Sequence, residues 1–187
     1  MEILIITGPP YSGKGTQCKI LKEELGYNHI STGDRCRIEK ENKTQLGILF
    51  TDLEKNGELV PDSMIKVLFG QILDENSNLK GIILDGYPRT IAQVDNLIEL
   101  ITLKELKIKK VLNIELPTEE LLKRAKNRAL SSNREDDKDA YIHQKRIEVF
   151  EENTKPCIEY MKSKFDFVSF NGMGSINEIT ERIKSYL

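Results

Sequence analysis

The chain has 187 residues, 39% of them apolar and 31% charged, and a net charge of −2. That length suits one domain with a sizeable core. The charge balance speaks against a general attraction to nucleic acid or anionic membrane. The three cysteines, Cys18, Cys36 and Cys157, form no CxxC pair. This argues against a disulfide framework or a structural zinc site and makes the cytoplasm the expected setting.

The chain opens on an apolar run, Ile3-Leu4-Ile5-Ile6, which predicts a strand over 2–7 rather than a secretory signal. No stretch reaches transmembrane length. Next comes Gly8-Pro-Pro-Tyr-Ser-Gly-Lys-Gly-Thr16, and then a helical pattern over 14–25. Strand, glycine-rich turn and helix N-terminus are the context a phosphate-binding loop requires. Gly8, Gly13 and Gly15 let the backbone pass close to phosphate oxygens. Amide groups and the helix dipole then favour negative charge, and Lys14 adds a point charge. The lysine at this spacing favours phosphate binding over an ordinary glycine-rich turn.

A short strand is predicted near 28–30, followed by helices over 33–42 and 45–55 with no strand between them. Residues 31–60 therefore read as an insertion above the sheet. A helix over 61–76 opens on Pro61 and Asp62, and Gly81 to Asp85 form the next strand. Thr90 caps a helix over 90–101, a strand spans 109–116, and Thr118 caps a helix over 118–130. Residues 131–138 are polar and read as a surface loop before one long helix over 138–163. The last strand spans 166–170. Ser175 and Glu178 form a capping box for a final helix over 175–186. This alternation predicts an α/β fold, a five-stranded parallel sheet flanked by helices. Ligands bind such sheets outside the carboxyl ends of the strands, and both insertions are placed to cover one there.

Three further segments carry chemistry: His29-Ile-Ser-Thr-Gly-Asp-Arg-Cys-Arg37, Leu84-Asp-Gly-Tyr-Pro-Arg-Thr-Ile-Ala-Gln93, and the arginines Arg124, Arg128, Arg134 and Arg146. Arg124 and Arg128 lie four apart, so one helix face can turn both toward one ligand. Asp85 ends an apolar strand. That position suits Mg²⁺, reached through water, or else a helix cap or a salt bridge to Lys14 or an arginine.

With the phosphate loop, this set in this order resembles the adenylate kinase family, short-lid type, from Met1 to the C-terminal helix. The resemblance implies a P-loop NTPase fold and reversible Mg²⁺-dependent transfer, ATP + AMP giving two ADP. It implies a core (1–30, 61–124 and 139–187), an NMP-binding helical flap (31–60) and a short lid (125–138). On this resemblance Tyr11, Ser12, Gly13, Lys14, Gly15, Thr16, Arg124, Arg128 and Gly174 bind ATP, with Arg124 packed on the adenine. Arg37 and Arg89 hold the AMP phosphate from the flap and core sides. Thr32, Gly86, Tyr87, Pro88 and Gln93, with backbone from Glu58, Leu59 and Val60, line the rest of the AMP site. Arg134 and Arg146 come down from the lid side and complete the AMP-binding set. Lys14, Arg37, Arg89, Arg128, Arg134 and Arg146 form the catalytic set, because phosphoryl transfer needs positioning and charge neutralisation more than a protein nucleophile. Small size and a self-contained pattern point to a monomer.

Thr32 and Gln93 match positions that face adenine in adenylate kinases, and Pro88-Arg89-Thr90 departs from the Pro-Arg-Asn of UMP/CMP kinases. AMP is thus favoured as acceptor. Tyr11 is the main departure, since the family usually has Gly there. Either the loop keeps φ negative at Tyr11, or the residue stores strain and alters ATP affinity or turnover. Asn133 also stands where Gly is usual, and the spacing from Asp137 to Arg146 is one residue longer than the pattern. Asp136 and Asp137 are expected to meet the arginines or cap the next helix. Two alternatives remain: a UMP/CMP-type kinase, and a nucleotide-binding protein with weakened catalysis, for which Tyr11 alone speaks.

Overall fold

Successive side chains of a strand point to opposite faces. In β1 (Glu2–Thr7), Ile3 and Ile5 enter one core cluster while Leu4 and Ile6 enter a second, and all four are fully buried. A strand apolar on both faces must be covered on both, which is the situation of a parallel strand. The structure is a computed structural model that describes residues 1–45, 47–48, 50–51, 59–131 and 140–187. In it β1 is the middle strand of a parallel sheet with β2 (Asn28–Ser31), β3 (Gly81–Asp85), β4 (Lys107–Glu115) and β5 (Phe167–Asn171). The spatial order is β2-β3-β1-β4-β5. Ile6, near the carboxyl end of β1, stands opposite Asp85 on one side and Leu112 on the other.

The described helices are α1 (Lys14–Leu25), α2 (Thr32–Glu41), α3 (Asp62–Glu75), α4 (Ile91–Leu103), α5 (Thr118–Ser131), α6 (Ala140–Val149), α7 (Lys155–Lys162) and α8 (Ile176–Lys184). Cys18 and Leu21 of α1 and Ile179 and Ile183 of α8 cover the sheet face formed by Leu4, Ile6, Ile83, Leu112 and Ile114. Apolar residues of α3, α4 and α7, such as Phe69, Leu97 and Met161, cover the other face. Between α1 and α8 a buried glutamine is satisfied at both ends. Gln17 Nε2 donates to Ile176 O at 3.0 Å, and the Thr180 hydroxyl donates to Gln17 Oε1 at 2.8 Å. Five parallel strands with helices on both faces and a glycine-rich loop after the central strand make this an α/β P-loop NTPase fold. No helix among the described residues is long and apolar enough to cross a membrane.

Most helix starts follow their side chains. Ser31 Oγ accepts the Asp34 N–H, Thr90 Oγ1 accepts the Gln93 N–H, and Ser175 with Glu178 closes both arms of a capping box. Two elements differ from expectation. α5 already includes Thr118, and the Leu121 N–H donates to Pro117 O, so Thr118 sits in the first turn instead of capping it. The helix expected over 138–163 is broken by a π turn, Phe150–Thr154, between α6 and α7. Pro156 explains the break. It lacks an N–H, and its ring would clash with the carbonyl four residues back, so the preceding turn widens. That wider turn brings Phe150 and Thr154 to the wall of the central cleft.

Candidate active site

The carboxyl ends of β1 and β3 open into a cavity of about 730 Å³. The loop between β1 and α1 forms its floor. Gly8 has φ 138°, and a Cβ there would fall 2.5 Å from Ile114 O, so only glycine lets the loop leave the strand this closely. Gly13 caps α1 in the left-handed region. Lys14 Nζ donates to Gly8 O at 2.9 Å and Pro9 O at 2.7 Å, and lies 3.4 Å from Ser12 Oγ. Burial among these groups lowers its pKa to about 8, although the Asp85 carboxylate favours the charged form.

Asp85 closes β3 on the cavity wall. Its Oδ2 lies 3.3 Å from His29 Nε2 and 3.4 Å from where a Cβ on Gly15 would stand. The residues after it form a second turn. Gly86 has φ 77°, and a side chain there would strike the Arg89 guanidinium at 2.6 Å. Arg89 Nε donates to Gly86 O at 2.6 Å, and burial works against the charge of this arginine while Asp85 supports it. The Thr32 hydroxyl donates toward Gly86 O at 2.9 Å. Gln93 accepts the Arg89 N–H at 2.8 Å and donates to Asp62 Oδ1 at 2.7 Å, while Thr90 donates to Asp62 Oδ2 at 3.0 Å. Asp62 therefore pins this turn to the start of α3. Tyr87 stacks on Phe69, with ring centroids 4.3 Å apart, and its hydroxyl donates to Gln93 O.

Lys14, Gly15, Thr16, Arg37, Leu59, Val60, Pro88, Arg128 and Arg146 also line the cavity, as does half-buried Cys36. Arg37 pairs with Asp34 on α2. Arg124 stands at the edge. Its Nε donates to Glu120 at 2.9 Å, and its other nitrogens reach Ser12 O at 3.4 Å and Gly172 O at 3.1 Å. It thereby separates the main cavity from a smaller one of about 300 Å³, which Ser12, Gly13, Thr16 and Gly174 border. Glu58, Asn133, Arg134, Asp136 and Asp137 lie outside the described residues.

Tyr11 takes the strained alternative, with φ 67°. Its side chain is buried, its hydroxyl lies 2.6 Å from His143 Nδ1, and the Arg128 guanidinium carbon sits 4.7 Å from its ring centroid. The sequence offered no sign of His143, which is 132 residues away, nor of the His29–Asp85 and Asp62–Gln93 contacts. None of these pairs belongs to a local motif, so nothing short of the fold brings them together.

A lysine-bearing glycine loop after the central strand, facing arginines across one cleft, defines a P-loop nucleotide-binding protein built for phosphoryl transfer. The family model described as adenylate kinase matches residues 6–165. Among curated relatives, the adenylate kinase of Parabacteroides distasonis is 39% identical over 97% of this chain and 95% of its own length. That of Leptospira biflexa is 38% identical over 98% of both chains, and that of Flavobacterium psychrophilum is 36% identical over 98% of this chain and 97% of its own. The chain belongs to the adenylate kinase family. It is a phosphotransferase, a nucleoside monophosphate kinase with adenylate kinase activity.

Proposed function

We propose that ATP binds over the loop Gly8–Thr16, its base entering the smaller cavity beside Arg124 and Gly174, and that AMP binds between α2 and the turn 86–93. The observation that carries this reading is that Lys14, Asp85, Arg37, Arg89, Arg124, Arg128 and Arg146 line one cavity. An oxygen of the AMP phosphate attacks the γ-phosphorus of ATP, and the bond to the β–γ bridging oxygen breaks. The acceptor is already ionised, so no protein group has to take a proton. Lys14, Arg89, Arg128 and Arg146 offset the charge spread over the transferred group, with Arg37 and Arg134 completing the set. Planar guanidinium forks suit that task.

The acceptor base meets Thr32 and Gln93. The Thr32 proton is committed to a backbone carbonyl, which leaves its lone pairs to accept from an exocyclic amine. The Gln93 amide keeps one N–H and one lone pair beyond its bonds to Asp62 and Arg89, a donor and an acceptor for the adenine edge. Leu59 and Val60, on the cavity wall, help line the base pocket.

Asp85 fits a water-mediated Mg²⁺ site. It is a carboxylate on the cavity wall, whereas Cys18 and His29, whose ligating atoms lie within 4.8 Å of it, are too soft for that ion. Mg²⁺, when bound with ATP, neutralises phosphate charge. Segments 31–60 and 125–138 act as flap and lid, excluding water as a competing acceptor. Three free thiols support a cytoplasmic setting.

The test is a coupled assay of ADP formation from MgATP with AMP, CMP, UMP and GMP, beside Lys14→Ala. Turnover with AMP that Lys14→Ala abolishes is the expected result. Preference for a pyrimidine overturns the roles given to Thr32 and Gln93, and tight binding without transfer points to weakened catalysis, with Tyr11 the first suspect.

A further inference from the structure

Tyr11 and His143 form the contact that neither the proposed reaction nor the family pattern uses. Two local costs are held in place to make it. Tyr11 sits at φ 67°, a conformation that bulky side chains avoid, and His143 is buried with its Nε2 lacking a hydrogen-bond partner. What they secure is a hydroxyl–imidazole hydrogen bond of 2.6 Å with the rings edge to face, centroids 5.2 Å apart. The opposite partner of the Tyr11 ring is Arg128 of α5. His143 lies on α6, three residues before Arg146, so the two share one helix face. One side chain of the phosphate loop thus touches both helices that flank 132–139, and both carry arginines that line the cavity.

We propose that Tyr11 and His143 are positioning residues, a strut that docks α6 and Arg128 against the phosphate loop before ATP arrives. A site ordered in advance binds more tightly, because the ligand does not have to order it. The strut therefore acts mainly on the affinity for ATP, through Arg128 and the loop, and reaches AMP only through Arg146. This inference rests on the reading that the loop end of the cleft is the ATP site.

The experiment measures ATP and AMP dissociation constants by calorimetry for the wild type, Tyr11→Phe, His143→Phe, the double variant and His143→Asn, with Lys14→Ala as reference. Tyr11→Phe keeps the ring over Arg128 and removes only the hydroxyl. It is expected to weaken ATP binding by about three- to tenfold, the range that one buried hydrogen bond spans. His143→Phe should match it and the double variant should be no worse than either, because both remove the same bond. His143→Asn should restore affinity, since its amide can occupy the place of Nδ1. AMP binding should weaken by less than ATP binding throughout. Additive losses, an equal loss for AMP, or failure of His143→Asn to rescue would mean general loosening and overturn the strut. So would unchanged ATP affinity in Tyr11→Phe. If Lys14→Ala binds ATP as the wild type does, the ATP-site reading itself falls and takes the strut with it.

Discussion

Lys14 holds its charge against its surroundings. Its ordinary value is 10.5, and burial brings it to about 8. The charged lysine therefore opposes folding below about pH 8, and that opposition fades as pH rises from about 8 toward 10.5. The role proposed for it in binding runs the other way, because ATP phosphates need the ammonium. In the free protein kcat/KM for ATP should fall as pH rises through about 8. Bound phosphates push the lysine back up, so kcat at saturating ATP should hold to higher pH. A pH profile of both constants checks this; parallel declines would remove Lys14 as the titrating group. The loop that carries Lys14 was legible in the sequence because its signature is local, a fixed spacing of glycines and one cation. Tyr11 was legible only as an anomaly, since its partner is set by the fold.

At the scale of elements, the caps explain where helices begin and what lies beside them. The capping box of α8 follows Gly174, at φ 115°, whose loop borders the smaller cavity. Ser175→Ala should lower stability by about 1 kcal/mol, read from denaturant unfolding midpoints. With ATP placed as proposed, the same variant should weaken ATP binding and spare AMP binding, because the loop it loosens borders only the smaller cavity. The strands were easy to find, being short apolar runs between turn signals. The π turn between α6 and α7 was not, because the helical pattern continues through it, yet Pro156 was a visible warning. Thr118 was misjudged by one residue because a threonine fits a first turn as well as a cap. The Asp62 anchor of Gln93 lay outside sequence reasoning altogether, as the two residues are 31 apart.

At the scale of the molecule, the proposed sites bring the phosphates of both nucleotides into one cavity. Each ligand should raise the melting temperature by mass action. A non-hydrolysable ATP analogue together with AMP should raise it by more than the sum of the separate shifts, since each pre-orders arginines that the other meets. Calorimetric scans with either ligand and with both decide this; a strictly additive result would mean two independent half-sites. The five-strand parallel order was readable from the alternation of elements. The placing of Arg124 between the two cavities was not, because its contacts to Ser12 and Gly172 span 112 and 48 residues.

The burial of the thiols has a consequence for chemical labelling. Cys18 and Cys157 are fully enclosed, and burial raises both thiols. Cys36 alone is half-buried, on the cavity wall, and burial raises it too, though Arg89 and Arg37 pull it back. An alkylating dye at neutral pH therefore meets one slow-reacting site, and AMP seated beside α2, as proposed, would close the approach. On that placement the wild-type chain carries its own covalent reporter of acceptor-site occupancy, with no engineered cysteine required.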